Sequence, residues 1–192
     1  MTGTLERRAA MAALMQGRGD DLLVVPGLGS TTYDLAAAGD NDRNFYLWGA
    51  MGGAAMIGLG LALAQPAKRV AVITGDGEML MGMGALATIG IQQPDNLAIV
   101  VFDNGMYGET GGQQSHTGAG VDMGAVARGC GFKVCLEVSD EAGLADLAGR
   151  LKHGGLLFAR VAIRPDEPPR VLPEKDGAIL KRRFRVALGL TA

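Results

Sequence analysis

Short apolar runs alternate along this chain with longer segments that have helical periodicity. The run Leu97–Phe102 contains no polar residue, which is typical of a strand buried on both faces of a sheet. Four further runs predict strands: Leu22–Val25, Arg69–Thr74, Phe132–Val138 and Leu156–Ile163, the last interrupted only by Arg160. The segments between the runs predict helices over Leu5–Gln16, Gly49–Ala64, Met83–Gln92, Asp122–Arg128 and Asp140–Lys152.

This alternation predicts an α/β fold, a doubly wound parallel sheet flanked by helices on both faces. The length of 192 residues predicts one domain over residues 1–192. The stretch Gly49–Ala64 carries no charge. It contains several glycines and is shorter than the roughly 20 residues that cross a bilayer, so we expect a buried helix there.

Composition narrows the possible functions. With 48% hydrophobic and 20% charged residues, the chain is expected to be globular rather than disordered. A net charge of −2 and a pI of about 5.7 argue against a nucleic-acid partner. Cys130 and Cys135 are too few for a disulfide framework, so we expect reduced thiols and a cytoplasmic location. The basic run Lys181–Arg185 fits a solvated helix face, or else a contact with a partner subunit.

Chemistry is expected first at Gly75-Asp76-Gly77, directly after a predicted strand. Ligands of parallel sheets bind beyond the carboxyl ends of the strands. The two glycines permit close approach of backbone N–H groups to an anion. A carboxylate beside such an anion makes physical sense when a cation such as Mg²⁺ lies between them. An ordinary Asp-Gly turn explains this triplet equally well.

A second polar segment strengthens the cation hypothesis. Asn104 follows the strand Leu97–Phe102 and lies 28 residues after Asp76, a distance that holds one helix and one strand. A right-handed crossover of this kind places consecutive parallel strands side by side. The two side chains would then lie together at one sheet edge, where they could share an octahedral magnesium ion with two diphosphate oxygens.

The segment from Gly75 to Gln113, with its GDG and later Asn, resembles the diphosphate-binding pattern of thiamine-diphosphate enzymes. The chain is most similar to the C-terminal domain of 2-oxo acid decarboxylases, in particular sulfopyruvate and phosphonopyruvate decarboxylases. The resemblance implies that thiamine diphosphate and Mg²⁺ are the cofactors. It implies Asp76, Asn104 and the Met106 carbonyl as metal ligands. It also assigns positions that contact the cofactor: Gly49, Met51, Gly75, Gly77, Glu78 and Tyr107.

The resemblance gives these positions different tasks. The Gly49 carbonyl would accept a hydrogen bond from the pyrimidine amino group, and Met51 would hold the cofactor in a bent form. Gly77 and Glu78 would offer N–H groups to the diphosphate. The Ser30 and Thr31 hydroxyls, in a loop after the first strand, resemble another diphosphate contact, although a helix cap explains them nearly as well.

Two glutamate positions depart from the family pattern. Glu78 stands where a small residue is expected, and a carboxylate there is unfavourable unless it points away from the phosphates. The family also needs a glutamate that protonates the pyrimidine ring, and neither Glu78 nor Glu109 lies at that position. The resemblance therefore implies a separate pyrimidine-binding (alpha) subunit that supplies this glutamate, in a hetero-oligomer such as α2β2 or larger.

The polar segment Thr110–Thr117 is expected to form a lid over the reactive end of the cofactor. His116 within it is a candidate for proton transfer or for binding a substrate anion, and an exposed loop histidine is an equally good interpretation. The activity implied is decarboxylation of a 2-oxo acid to CO₂ and an aldehyde.

Four alternatives stay open at this point. An acetolactate-synthase-like carboligase would use the same cofactor. A non-catalytic cofactor-binding module is possible as well. A nicotinamide-binding fold is disfavoured because Gly27-Leu28-Gly29 is followed by Thr32 in place of a third glycine. A ferredoxin-linked oxidoreductase subunit would need more cysteines.

Overall fold

Parallel strands form the centre of the protein, as described by a computed structural model over residues 3–191. The strands in chain order are β1 (Leu22–Pro26), β2 (Arg69–Gly75), β3 (Leu97–Asp103), β4 (Met106–Tyr107), β5 (Gln113–Gln114), β6 (Val134–Val138) and β7 (Leu157–Ala162). Five of them form one parallel sheet in the order β1-β2-β3-β7-β6, whereas β4 and β5 pair as a short antiparallel ribbon. The predicted parallel α/β sheet is confirmed.

Helices cover both faces of this sheet. They are α1 (Arg7–Met15), α2 (Ser30–Ala37), α3 (Ala54–Ala64), α4 (Asp76–Met81), α5 (Gly84–Gln92), α6 (Met123–Gly129), α7 (Glu141–Leu151) and α8 (Gly177–Ala187). One apolar cluster joins the sheet to α3, α5 and α6, and a second joins its other face to α1, α2 and α7. Most ends of the predicted helices and strands lie within two residues of the observed ones. Helices α2 and α4 were not predicted.

The start of α3 corrects one prediction. The helix expected from Gly49 begins at Ala54, and Gly49–Gly53 form a turn instead. Ala50 and Gly52 have φ values of 60° and 86°, so the backbone there is left-handed and cannot continue a helix. The turn is as apolar as the helix that follows it, which is why the hydrophobic pattern did not separate them.

The basic C-terminal run is only partly solvated. Phe184 is buried and packs edge-on against Phe45 at a centroid distance of 5.3 Å. Arg183 forms an ion pair with Asp40 at 2.7 Å and lies over the ring of Tyr46. These contacts fix α8 against the segment 40–46 that follows α2, so the expectation of a simple solvated face is wrong for these two residues. No helix within residues 3–191 is long and apolar enough to cross a membrane.

Candidate functional site

A cavity of about 510 Å³ opens at the carboxyl edge of the sheet. Its walls come from the segments that follow β1, β2, β3 and β7, as expected for a parallel sheet. Most of the residues singled out in the sequence line it: Ser30, Thr31, Met51, Gly75, Asp76, Gly77, Glu78, Asn104, Met106 and Tyr107. Residues 27 places apart in the chain thus meet at the ends of neighbouring strands, for example Gly75 beside Phe102.

Gly77 lies where no side chain fits. A Cβ atom on Gly77 would lie 2.5 Å from Cε1 of Tyr107 and 2.6 Å from its Cδ1. The Tyr107 ring therefore packs directly on the backbone of the turn that begins α4. The first N–H groups of a helix have no partner within the helix, so those of this turn are free to meet a ligand in the cavity.

Asp76 is a buried carboxylate with one occupied oxygen. Its residue is only 3% exposed, and Oδ2 accepts hydrogen bonds from Ser115 Oγ at 2.5 Å and Thr117 Oγ1 at 3.0 Å. Its Oδ1 accepts no hydrogen bond from another residue within 3–191. Burial raises the pKa of Asp76 above its ordinary value, and the neighbouring Asp103 adds to the rise while the two hydroxyls oppose it. A cation beside Oδ1 would offset the cost of this buried charge.

Asn104 and Met106 face the same space from the end of β3. Asn104 Oδ1 accepts a hydrogen bond from the Met106 N–H at 2.9 Å. The carbonyls of Gly105 and Tyr107, on either side of Met106, accept hydrogen bonds from Ser115 and Gly112. Carbonyls alternate in direction along a strand, so the Met106 carbonyl points away from its partner strand β5. Asn104 and Met106 line the same cavity as Asp76.

Oxygen atoms dominate this donor set. No group of three or more His, Cys, Asp or Glu residues able to hold a metal occurs among residues 3–191. Magnesium usually takes one or two protein carboxylates and completes its six ligands with phosphate oxygens and water. One carboxylate, one amide oxygen and one backbone carbonyl fit a magnesium ion whose remaining ligands are phosphate oxygens and water. Three such groups are too few for a site made of protein ligands alone.

The side chain of Glu78 points away from the turn, which answers the difficulty raised by the sequence. Its Oε2 accepts hydrogen bonds from the Leu28 N–H at 2.8 Å and from Thr74 Oγ1 at 2.9 Å. A Cβ on Gly27 would lie 1.8 Å from this oxygen. Burial raises the pKa of Glu78, and the Thr74 and Leu28 hydrogen bonds oppose the rise. Glu78 thus fastens the loop after β1 to the turn after β2.

The hydroxyl groups that follow β1 differ in their hydrogen bonds. Thr31 Oγ1 donates its one proton to the Gly27 carbonyl at 3.0 Å, and Thr32 Oγ1 donates to the same oxygen at 2.8 Å. Thr31 has no second proton for a phosphate. Ser30 begins α2, lines the cavity and makes no such hydrogen bond within residues 3–191.

Met51 lines the cavity, whereas Gly49, two residues before it, is not among the described residues that line it. Gly49 is exposed, and a Cβ on it would meet no atom within 4 Å. Met51 lines the cavity and is 41% exposed, so plain core packing does not explain it. A methionine left half in solvent is suited to contact a ligand or a second protein surface.

The Thr110–Thr117 segment is anchored at one end. Gln113 and Gln114 pair with Tyr107 and Met106, and Ser115 is buried. His116 is exposed and does not line the cavity within the described residues; its Nδ1 lies 3.0 Å from the Tyr107 hydroxyl. The structure therefore brings His116 to Tyr107, and through that ring to Gly77.

Several cavity residues carried no sequence signal. The segment Pro165–Arg170 crosses the cavity, and Arg170 forms an ion pair with Glu109 at 3.0 Å while lying over the Tyr33 ring. Arg160, the interruption in the β7 run, donates to Asp103 Oδ2 at 2.5 Å. A charged residue inside an otherwise apolar strand is expected to have a charged partner, so the sequence could have predicted a partner for Arg160. The segment Pro165–Arg170 has no comparable pattern.

A doubly wound sheet with glycine turns, a buried carboxylate and an amide at its carboxyl edge is typical of α/β proteins that bind an anionic ligand at that edge. Residues 28–159 match the family described as the thiamine pyrophosphate enzyme, C-terminal TPP binding domain. The chain belongs to this family.

Relatives extend the match beyond those residues. The chain is 40% identical to a phosphonopyruvate decarboxylase of Streptomyces viridochromogenes over 93% of its own length and 45% of the relative's. It is 38% identical to the sulfopyruvate decarboxylase subunit beta of Methanothermobacter thermautotrophicus over 86% of both chains. The benzoylformate decarboxylase of Polynucleobacter necessarius shares its fold with a TM-score of 0.71 at 20% identity, over 86% of this chain and 34% of the other. The chain thus spans about half the length of the first of these relatives.

Proposed function

We propose that this chain is the thiamine-diphosphate-binding part of a 2-oxo acid decarboxylase, and that a partner subunit completes the active site. The observation that carries the proposal is Asp76, a buried carboxylate whose Oδ1 is left without a hydrogen bond from the other described residues, in a cavity that Asn104 also lines. The matching family and the decarboxylase relatives support it.

The residues of the cavity have distinct tasks in this proposal. Asp76 Oδ1, Asn104 Oδ1 and the Met106 carbonyl bind Mg²⁺, and the N–H groups of Gly77 and Glu78 bind the diphosphate. Gly75 gives the turn its shape, and Tyr107 packs on Gly77 and fixes it. Ser30, rather than Thr31, supplies a hydroxyl from the β1 loop, because the Thr31 proton is already donated to Gly27.

The open end of the cavity holds the other half of the cofactor. The Gly49 carbonyl orients the pyrimidine amino group, and Met51 supports the bent form. When bound, thiamine diphosphate supplies the electron acceptor that makes loss of CO₂ from a 2-oxo acid possible. His116 lies outside the cavity lining, with its Nδ1 3.0 Å from the Tyr107 hydroxyl, and we propose that its Nε2 contacts a substrate anion or moves a proton.

A partner is needed for the proton at the pyrimidine ring. The two glutamates near the motif are engaged elsewhere, Glu78 with Leu28 and Thr74, and Glu109 with Arg170. We propose that the glutamate comes from a pyrimidine-binding alpha subunit in an α2β2 or larger assembly. The relative whose alignment covers 86% of both chains is named a subunit beta, which supports this arrangement.

A surface suited to such a partner lies on two helices, and we name it the apolar face. On α3 it consists of Met56, Gly60 and Leu63, which share one side at helical spacing. On α5 it consists of Ala87 and Ile91, and Ile91 is 82% exposed. Exposed apolar patches of this kind mark protein contacts.

The apolar face continues into the open end of the cavity. Gly52, next to Met51, touches Gly82: a Cβ on Gly82 would lie 2.0 Å from the Gly52 carbonyl oxygen. Met81, beside Gly82, is 68% exposed. The alignment leaves more than half of the phosphonopyruvate decarboxylase unmatched, so in that relative further chain is available to cover the corresponding surface. We propose that the alpha subunit covers it here.

The substrate we propose is a 2-oxo acid that also carries a phosphonate or a sulfonate group. The names of two relatives, phosphonopyruvate decarboxylase and sulfopyruvate decarboxylase subunit beta, support this class. The location we propose is the cytoplasm, since Cys130 and Cys135 are free thiols.

The proposal is tested by CO₂ release from phosphonopyruvate, sulfopyruvate and pyruvate. The assay uses the chain together with a pyrimidine-binding subunit encoded beside it, thiamine diphosphate and Mg²⁺. We expect release from one of the dianionic substrates, loss of release in Asp76→Ala, and retention in Asp95→Ala, whose carboxylate is exposed. No release from any 2-oxo acid would contradict the decarboxylase assignment, and a coupled product in place of an aldehyde would favour a carboligase.

A further inference from the structure

A chain of hydrogen bonds lies beneath Asp76 and joins segments that are distant in sequence. Ser115 Oγ donates to Asp76 Oδ2 at 2.5 Å. Thr117 Oγ1 lies 3.0 Å from the same oxygen and 2.8 Å from Asp103 Oδ1. Asp103 Oδ2 in turn accepts from Arg160 Nε at 2.5 Å. Two hydroxyls therefore lie between the buried carboxylates of Asp76 and Asp103.

Counting protons shows which oxygens are occupied. A serine or threonine hydroxyl has one proton to donate. Ser115 gives its proton to Asp76 Oδ2 at 2.5 Å. The Thr117 proton is directed at Asp103 Oδ1, at that same Oδ2, or at Ser115 Oγ, which lies 2.9 Å away. Both hydroxyls meet Asp76 at Oδ2, while Oδ1 receives nothing from another described residue. The carboxylate is therefore held by one oxygen and presents the other to the cavity.

The charges of the two carboxylates are balanced differently. Asp103 is paired with Arg160, which also reaches Glu137 at 3.1 Å. Asp76 takes part in none of the ion pairs formed among residues 3–191. No residue within 3–191 therefore supplies a positive charge to Asp76, and a bound cation would fill that role. Thr117 lies between this carboxylate and that of Asp103.

The two hydroxyls also connect Asp76 with the Asn104 turn. The Ser115 N–H donates to the Gly105 carbonyl at 2.8 Å, directly after Asn104. A Cβ on Gly118 would lie 2.5 Å from that carbonyl oxygen, so the segment packs closely along the turn. Residues 115–118 thus touch both turns that present the oxygen ligands.

We infer that Ser115 and Thr117 are positioning residues: they hold Oδ2 of Asp76 so that Oδ1 faces the cation, and they fix its distance from the Asn104 turn. This inference rests on the proposed function, since it concerns the metal site of the bound cofactor. Groups that orient a metal ligand without touching the metal commonly change its affinity for the metal by about 10- to 100-fold when removed.

The test is a titration of Mn²⁺ in the presence of thiamine diphosphate, followed by the electron paramagnetic resonance signal of free Mn²⁺. Wild type is compared with Thr117→Val, which keeps the shape and removes the hydroxyl, and with Thr117→Ser, which keeps the hydroxyl. Thr4→Val is the matched control, since Thr4 is an exposed threonine whose hydroxyl donates to the Ser139 carbonyl. The chain is used alone or with its partner, in the format in which wild type binds.

We expect Thr117→Val and Ser115→Ala to weaken Mn²⁺ binding by about tenfold. Thr117→Ser and Thr4→Val should stay within about twofold of wild type. The thermal midpoint of Thr117→Val without metal should stay within about 4 °C of wild type, because one hydrogen bond is removed. This comparison separates a metal effect from simple loss of stability.

Wild-type affinity in Thr117→Val would overturn the inference. Equal weakening in Thr117→Ser and Thr117→Val would overturn it too, because the hydroxyl would then not be the group that matters. Absence of any cofactor-dependent Mn²⁺ binding by wild type would overturn the proposed function as well, and this result is distinguishable from the other two.

Discussion

The cation side and the open side of the cavity are built to different degrees by this chain. On the cation side, Asp76 is 3% exposed and two hydroxyls hold one of its oxygens. On the open side, Met51 and Met81 are 41% and 68% exposed and continue into the apolar face of α3 and α5. Hydrogen bonds within this chain hold the polar half, whereas the apolar half is largely exposed. This difference is what we expect when one subunit holds the diphosphate and another completes the site.

The largest expected effect comes from breaking the ion pair between Arg160 and Asp103, which lies next to Asp76. Arg160→Met would leave the buried Asp103 carboxylate without its partner, and we expect a loss of about 3 kcal/mol in the free energy of unfolding. Urea denaturation at pH 7 measures it. Arg150→Met is the control, because its pair with Asp146 is exposed and should contribute no more than about 0.5 kcal/mol. Equal losses in both variants would contradict the claim that the buried Arg160–Asp103 pair stabilises the fold more than the exposed Arg150–Asp146 pair.

Overpacking of the turn gives the next largest effect. In Gly77→Ala the new methyl would lie about as close as the 2.5 Å found to Tyr107 Cε1, and such overpacking costs about 1–3 kcal/mol. Affinity for thiamine diphosphate should fall as well, since the N–H groups of the turn move. Gly84→Ala, where a methyl meets nothing within 4 Å, should bind the cofactor as wild type does. Calorimetric titration of both variants decides the point.

A charge on the open side should act on assembly alone. Ile91→Lys places an ammonium group at the centre of the proposed contact, and we expect partner affinity to fall by about tenfold or more. Val186→Lys, on the exposed surface of α8, is the control. Analytical ultracentrifugation measures the affinity. An unchanged dissociation constant in Ile91→Lys would show that the apolar face is not where the partner binds.

The smallest effect lies outside both sides, at the anchor of α8. Burial alone would raise the pKa of Asp40, but hydrogen bonds from Arg183 and Tyr46 outweigh it and hold the pKa below its ordinary value.

A lowered folded-state pKa stabilises the protein above the unfolded-state value of about 3.9, and this contribution is lost as the pH falls through the folded-state pKa. Asp40→Asn should therefore cost less than about 1 kcal/mol at pH 7, since the pair is partly exposed, and less again near pH 3. Urea unfolding at both pH values tests this. A cost that grows at low pH would contradict the assignment, and cofactor affinity should not change.

Long-range order was well predicted where the chain is uniformly apolar. All five strands of the sheet were found, because β3 and its neighbours are buried on both faces and show it in their composition. The order of Asp76 and Asn104 along the chain was enough to place them at one sheet edge. What failed was local: α2 begins with Ser-Thr-Thr-Tyr, residues of low helix propensity, and tertiary packing decides its conformation.

The supporting contacts of the site were beyond sequence reasoning for a different reason. Ser115 and Thr117 lie 39 and 41 residues from Asp76, and a hydroxyl in a polar loop has no periodicity that reveals its partner. The same holds for Glu78, whose carboxylate accepts a hydrogen bond at 2.8 Å from the N–H group of Leu28, 50 residues earlier in the chain. Sequence patterns predict the candidate ligands of this site, while the groups that would orient those ligands depend on the folded geometry.

The most direct test of the account is calorimetric titration of thiamine diphosphate into the chain, with and without Mg²⁺ and with and without the partner. We expect saturable binding that requires Mg²⁺, becomes tighter with the partner, and disappears in Asp76→Ala. Binding that is equally tight without Mg²⁺, or that persists in Asp76→Ala, would contradict the claim that the cation side of this chain holds the cofactor.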